Sequence, residues 1–242
     1  TRAEDGAVQG LFELLHIPYS GSGILASALA IDKQRAKQIL AEAGVPVPAG
    51  VLVGSVDDLA KVVLPPSPWV VKPNSQGSTV GLSFVDSLDQ LPRAVEKALS
   101  YDQVAVIEQQ VFGVEVSVPV LGDHALPVVE VVPANGRYDF ASKYLPGATE
   151  EVCPARISES ATLEAQRLAL LTHHSLGCEG ATRTDMLVDG ERIMVLEINT
   201  LPGMTATSLL PRSAGVAGIS FEDLCDWIVC DTWERHEAKT QT

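Results

Sequence analysis

Two carboxylates and an amide stand close together in the segment TRTDMLVDGERIMVLEINT: Asp185, then Glu197 and Asn199. Asp189-Gly190 reads as the tip of a hairpin, which puts Asp185 on one strand and the other two residues on its partner. Side chains two apart on a strand share a face, so Glu197 and Asn199 project together and Arg183 sides with Asp185. A donor set made only of oxygens suits a hard cation such as Mg²⁺ between phosphates rather than zinc. Arg183 adds a permanent cation beside it. A solvated sheet face is the ordinary reading for any one of these acids. It is weakened because MVLEINT is otherwise apolar, and an unpaired carboxylate there is costly to bury.

Directly after Asn199 comes LPGMTATS. A Pro202-Gly203 turn followed by Thr205, Thr207 and Ser208 offers backbone N–H groups and hydroxyls to an oxyanion or a carboxylate. Upstream, Lys72 introduces the loop NSQGSTVG, whose small residues let backbone approach phosphates, although it is not the GxxxxGK[ST] pattern and precedes a strand. A plain hairpin loop fits that composition equally well. Lys33 opens a helix, and Glu108 and Glu115 bracket QQVFGV, where one can accept from a ribose hydroxyl. The five histidines share no spacing with a nucleophilic Ser or Cys, and the pair His173-His174 reads as surface.

These residues need a scaffold of alternating short apolar runs and helical periods. The sequence predicts helices over 8–16, over KQRAKQILAEA with Asp32 as cap and Gly44 as terminator, and over 159–176 closed by Gly177. Ser55 with Asp58, and Ser87 with Gln90, resemble capping boxes for two short helices, and Ser220 with Asp223 opens a last one, followed by a polar tail after Glu234. Strand-like runs occupy PWVVKP, GLSFV and three stretches of 104–133. Residues 134–149 are a long polar loop, a lid candidate. The 242 residues carry 17 basic and 31 acidic side chains, and a net charge of −14 excludes a nucleic-acid clamp. No run of eighteen apolar residues exists to span a membrane. Four cysteines without CxxC read as buried free thiols, and the lack of a leader points to the cytoplasm.

Taken in order, GILASALAIDKQRAK, VVKPNSQGSTVG, KYLPGATEEVCPA, GATRTDML and LEINTLPGMTATSLLP resemble the D-alanine–D-alanine ligases of the ATP-grasp superfamily. The resemblance implies an α+β architecture: a central ATP-grasp domain over 32–112 and a C-terminal one over 113–242, clamping ATP between antiparallel sheets. Residues 1–31 would then be the end of a Rossmann-like domain whose remainder, with a glutamate orienting the first D-alanine, lies upstream. It also implies a homodimer at full length. The chemistry implied is ATP-dependent joining of two D-alanines through an acylphosphate, for peptidoglycan precursors, with two Mg²⁺ ions that Mn²⁺ can replace.

Position by position, the resemblance makes Asp185, Glu197 and Asn199 metal ligands and Arg183 the cation on the transferring phosphoryl group. Lys33, Lys72 and Lys143 fall to the phosphates, and Glu108, Gln109, Val111 and Glu115 to the nucleoside. Gly203 becomes an oxyanion donor, Ser208 and Leu209 hold the second carboxylate, and Ser78 and Tyr144 close over the substrates. Three positions depart from the pattern: Gln109 for a frequent lysine, Leu201 for a frequent serine, Thr207 for a frequent histidine. Leu201 is a feature of the D-lactate branch, whereas Lys143-Tyr144 keeps the dipeptide-type lid. A D-lactate or D-serine acceptor, or a nucleotide-binding module without activity, are the alternatives.

Overall fold

The computed structural model describes residues 3–133 and 149–240. Among these the helices are α1 (Ala7–Leu14), α2 (Ile24–Ile31), α3 (Lys33–Glu42), α4 (Leu91–Leu99), α5 (Glu159–Ser175), α6 (Leu209–Val216) and α7 (Phe221–Thr240). The strands are β1 (Gly50–Val53), β2 (Trp69–Pro73), β3 (Ser83–Val85), β4 (Ala105–Gln109), β5 (Val114–Leu121), β6 (His124–Ala125), β7 (Val129–Pro133), β8 (Thr149–Val152), β9 (Ala181–Asp189) and β10 (Arg192–Asn199). They form two antiparallel sheets. The smaller runs β1-β4-β2-β3; the larger runs β10-β9-β5-β7-β8, with β6 added to β5.

Each sheet buries one face and turns the other toward the space between them. In the small sheet Trp69, Val71, Val85 and Ile107 pack on Leu91 and Val95 of α4. The alternation of WVVKP then leaves Val70 and Lys72 on the opposite face. In the large sheet Val116, Val118, Met186, Val188 and Val195 pack beneath α5, and α2 and α3 join that core through Ala26, Ala30, Ala36 and Leu40. Asp32 caps α3 by accepting from the Arg35 N–H at 3.0 Å, and Gly44 leaves the helix at φ 80°.

Four expectations are corrected. The helices expected from the boxes at 55–58 and 87–90 begin as 3-10 turns, and their serines make no side-chain cap. Instead Asp58 and Gln90 accept from the N–H groups of Gly54 and Asp86, a reach of four residues back. His173 is not a surface residue. It is 2% exposed, 2.8 Å from the Thr182 hydroxyl, and burial lowers its pKa to about 4. The polar segment after Glu234 is helical through residue 240, docked by Arg235 onto Glu179 and by Lys239 onto Glu13, with Arg235 also paired to Asp231 one turn back on the same helix. The four thiols are free, but only Cys178 is buried.

Candidate active site

A cavity of ≈ 420 Å³ lies between the two sheets. Val70 and Phe84, register partners on β2 and β3, line it from the small sheet; Leu187 and Leu196 line it from the large one. Two apolar walls facing each other suit a flat ring. Leu196 reaches the cavity beside its neighbour Glu197 because the β9–β10 register shifts between Val195 and Glu197. Such a bulge aims two consecutive side chains at one side, where a regular strand would send one into the core. Lys33, Lys72, Glu108, Gln109, Val111 and Glu115, all named from sequence for the nucleotide, line this cavity.

Its floor is charged and buried. Glu108, 3% exposed, accepts from Lys72 Nζ at 2.9 Å and from Lys37 Nζ at 2.5 Å. Burial works against the carboxylate, yet the two ammonium groups prevail and hold its pKa down at about 2. For Lys72, burial is likewise outweighed by Glu108 and Glu197, and its pKa is raised. For Lys37 burial wins, lowering it to about 8. Two ammonium groups on one carboxylate leave a surplus positive charge facing the cavity. Lys37 was not foreseen: nothing in its local sequence announces a partner 71 residues away.

Lys33 joins this cavity to a second. Its ammonium donates to the Gln76 carbonyl at 2.7 Å and pairs with Glu197 at 3.5 Å, and burial lowers its pKa. Lys33 and Glu197 line both cavities. The second, ≈ 440 Å³, is also lined by Asn199, a metal ligand in the resemblance, and by Ser78, Arg183, Gly203, Ser208 and Leu209, which the resemblance assigned to phosphoryl transfer and the amino-acid substrates, with Thr205 and Thr207. Ser78 and Thr79 both take left-handed φ of 56°. That strain is characteristic of functional loops. The loop is anchored at Ser75, whose N–H donates to Asp102 at 2.6 Å.

The hairpin behaves as its alternation predicts. Asp185 faces Glu197 and Arg183 faces Asn199 in register, a two-by-two polar block on the cavity side. Arg183 grips Asp185 with two bonds of 2.8 Å, and Ser117 on β5 donates to the same carboxylate at 2.6 Å. Asn199 Oδ1 accepts from the Leu201 N–H at 2.9 Å, fixing the turn into LPGMTATS. There Ser208 Oγ accepts from the Thr205 N–H at 3.0 Å, and a Cβ on Gly203 would meet it at 2.7 Å. Asp185, Glu197 and Asn199 supply oxygen donors only, which fits a hard divalent cation. Among the described residues no three His, Cys, Asp or Glu group into a metal site, so a cation here draws on Asn199 and on ligand oxygens too. Lys143, Tyr144 and most of the expected lid lie outside the described residues.

Residues 59–230 match a family model described as D-ala D-ala ligase C-terminus. The chain is 47% identical over 236 residues to the D-alanine--D-alanine ligase of Syntrophobacter fumaroxidans, covering 93% of this chain and 75% of that one. It is 44% identical over 239 residues to that of Pelotomaculum thermopropionicum, with the same coverage. Among solved structures it resembles the D-alanine--D-Alanine ligase of Bacillus anthracis complexed with ATP, with a TM-score of 0.84, 32% identity, and coverage of 98% of this chain and 77% of that one. It also resembles the VanG D-Ala:D-Ser ligase of Enterococcus faecalis, with a TM-score of 0.84, 32% identity, and coverage of 96% and 70%.

Proposed function

The chain belongs to the D-alanine–D-alanine ligase family, and we propose that its two cavities are the nucleotide half and the amino-acid half of one ligase site. The enzyme is an ATP-dependent ligase that joins two D-alanines, and its fold is ATP-grasp. The observation that carries the two-half reading is the shared wall: Lys33 and Glu197 border both cavities, so a phosphoryl group leaving one for the other must pass them.

In this reading the base lies between Val70 and Phe84 on one side and Leu187 and Leu196 on the other. Glu108, Gln109, Val111 and Glu115 hold the nucleoside, and Lys33, Lys72 and Lys143 hold the phosphates. Asp185, Glu197 and Asn199 would hold Mg²⁺, which when bound neutralises phosphate charge and orients the phosphoryl oxygens. A carboxylate oxygen of the first D-alanine attacks the γ-phosphorus and ADP leaves. The amine of the second D-alanine then attacks the acyl carbon, and phosphate departs with the carboxylate oxygen. Arg183, a planar and permanent cation, releases Asp185 to stabilise the transferring group and then the oxyanion, together with the Gly203 N–H. Ser208 and Leu209 seat the second carboxylate. Ser78 and Tyr144 close over both, because water would hydrolyse an acylphosphate.

The likeness to a D-Ala:D-Ser ligase, with Leu201 in place of a frequent serine, makes the acceptor the point to test. ADP release is measured with D-alanine alone and then with D-serine or D-lactate added at neutral pH. D-alanine should support turnover unaided and remain the preferred acceptor. Mixed products in equal or greater yield overturn the D-alanine assignment.

A further inference from the structure

Lys37 has no place in the reading above: it does not line the cavity. Yet it is 6% exposed, and a buried ammonium held at one carboxylate is rare enough to need a reason. It stands one helical turn beyond Lys33 on α3, so the two ammonium groups leave the same face of the helix. Lys33 meets Glu197 of the large sheet, and Lys37 meets Glu108 of the small one. Glu108 therefore has two cations: Lys37 from behind and Lys72 from the cavity side.

Phosphates entering the cavity compete with Glu108 for Lys72. If Lys72 were the sole counter-ion of Glu108, its transfer would strand a buried carboxylate, which opposes binding. We infer that Lys37 is a positioning residue for nucleotide binding: it stays on Glu108 as a permanent counter-ion, so that Lys72 is free to move to the phosphates. The inference rests on the first cavity being the ATP site. Burial lowers the pKa of Lys37 only to about 8, which leaves it charged at neutral pH.

ATP affinity measured calorimetrically on the full chain tests this without requiring turnover. Lys37→Met should fold, because Lys72 remains on Glu108, and should weaken ATP binding at least tenfold. In steady state the KM for ATP should rise while kcat and the KM for D-alanine stay within twofold. Lys37→Arg keeps the charge and should bind ATP within threefold of wild type. In a Glu108→Gln background, Lys37→Met should have no further effect, since Lys37 acts through that carboxylate. Unchanged ATP affinity in Lys37→Met, equal losses in the arginine and methionine variants, or a tenfold loss that persists beside Glu108→Gln would each overturn the inference. Should Lys37→Met not fold, Lys37→Gln carries the same comparison. A wild-type chain that binds no ATP defeats instead the reading of the cavity itself.

Discussion

The two cavities share a wall but are built in opposite ways. The first is set before any ligand arrives: apolar walls from both sheets, and a buried cluster of Lys37, Glu108 and Lys72 with one charge to spare. The second keeps its charges occupied with one another. Arg183 is engaged by Asp185, and Glu151 on its rim by Arg212 at 3.0 Å from outside the cavity, while the Ser208 hydroxyl is held by the Thr205 N–H. A nucleotide entering the first need only draw Lys72 from Glu108, which keeps Lys37, whereas the chemistry of the second requires Arg183 to leave Asp185. Binding energy gained in the first is thus available to rearrange the second.

Substitutions can break this contrast, starting with the shared wall. Glu197→Gln should lower kcat at least about 10³-fold, since charge placed for a transferring phosphoryl group is worth that order. The melting temperature without nucleotide should stay nearly unchanged, because Glu197 is only half buried. A variant that unfolds instead makes Glu197 structural. Arg183→Lys, which loses the two-pronged grip, should lower kcat about 10²-fold with ATP affinity unaltered. An equal loss in ATP affinity would place Arg183 in the first cavity's work.

Gly203→Ala drives a methyl group against Ser208 Oγ and should raise the KM for D-alanine about tenfold, roughly 1.4 kcal/mol, leaving the KM for ATP as it was. Parallel rises in both constants would show that the cavities are not separable. The last effect leaves turnover alone and falls on stability, at His173. Its folded pKa of about 4 is below its unfolded value, so the unfolded chain takes up the proton first as pH falls. Stability is therefore lost from about pH 6.5 down to about pH 4, by about 3 kcal/mol in total. In denaturant titrations His173→Gln should show a slope against pH shallower by one proton in that window. An unchanged slope would mean that His173 is already charged in the fold.

The hairpin block was legible because strand alternation and a turn signal are local. Asp185, Glu197, Asn199 and Arg183 needed only a period of two and Asp189-Gly190 to fall on one face. What stayed hidden depends on distant partners. Lys37 reads as an ordinary helical lysine until β4 brings Glu108 against it. His173 sits among polar neighbours in sequence and is buried only because α5 lies on β9, where Thr182 waits. The segment after Glu234 has no apolar period to reveal a helix, and its order comes from ion pairs to Glu179 and Glu13. The bulge beside Leu196 is likewise a property of strand pairing, and without it Leu196 and Glu197 would face opposite ways.

The central claim is that phosphoryl transfer from one cavity to a substrate carboxylate in the other occurs past Lys33 and Glu197. It is tested most directly by supplying D-alanine labelled with ¹⁸O at both carboxylate oxygens and examining the phosphate released from ATP by mass spectrometry. One ¹⁸O per phosphate, with the other retained in the new amide carbonyl, is the expected result. Unlabelled phosphate would mean that ATP is cleaved by water, and the two cavities would not form one ligase site.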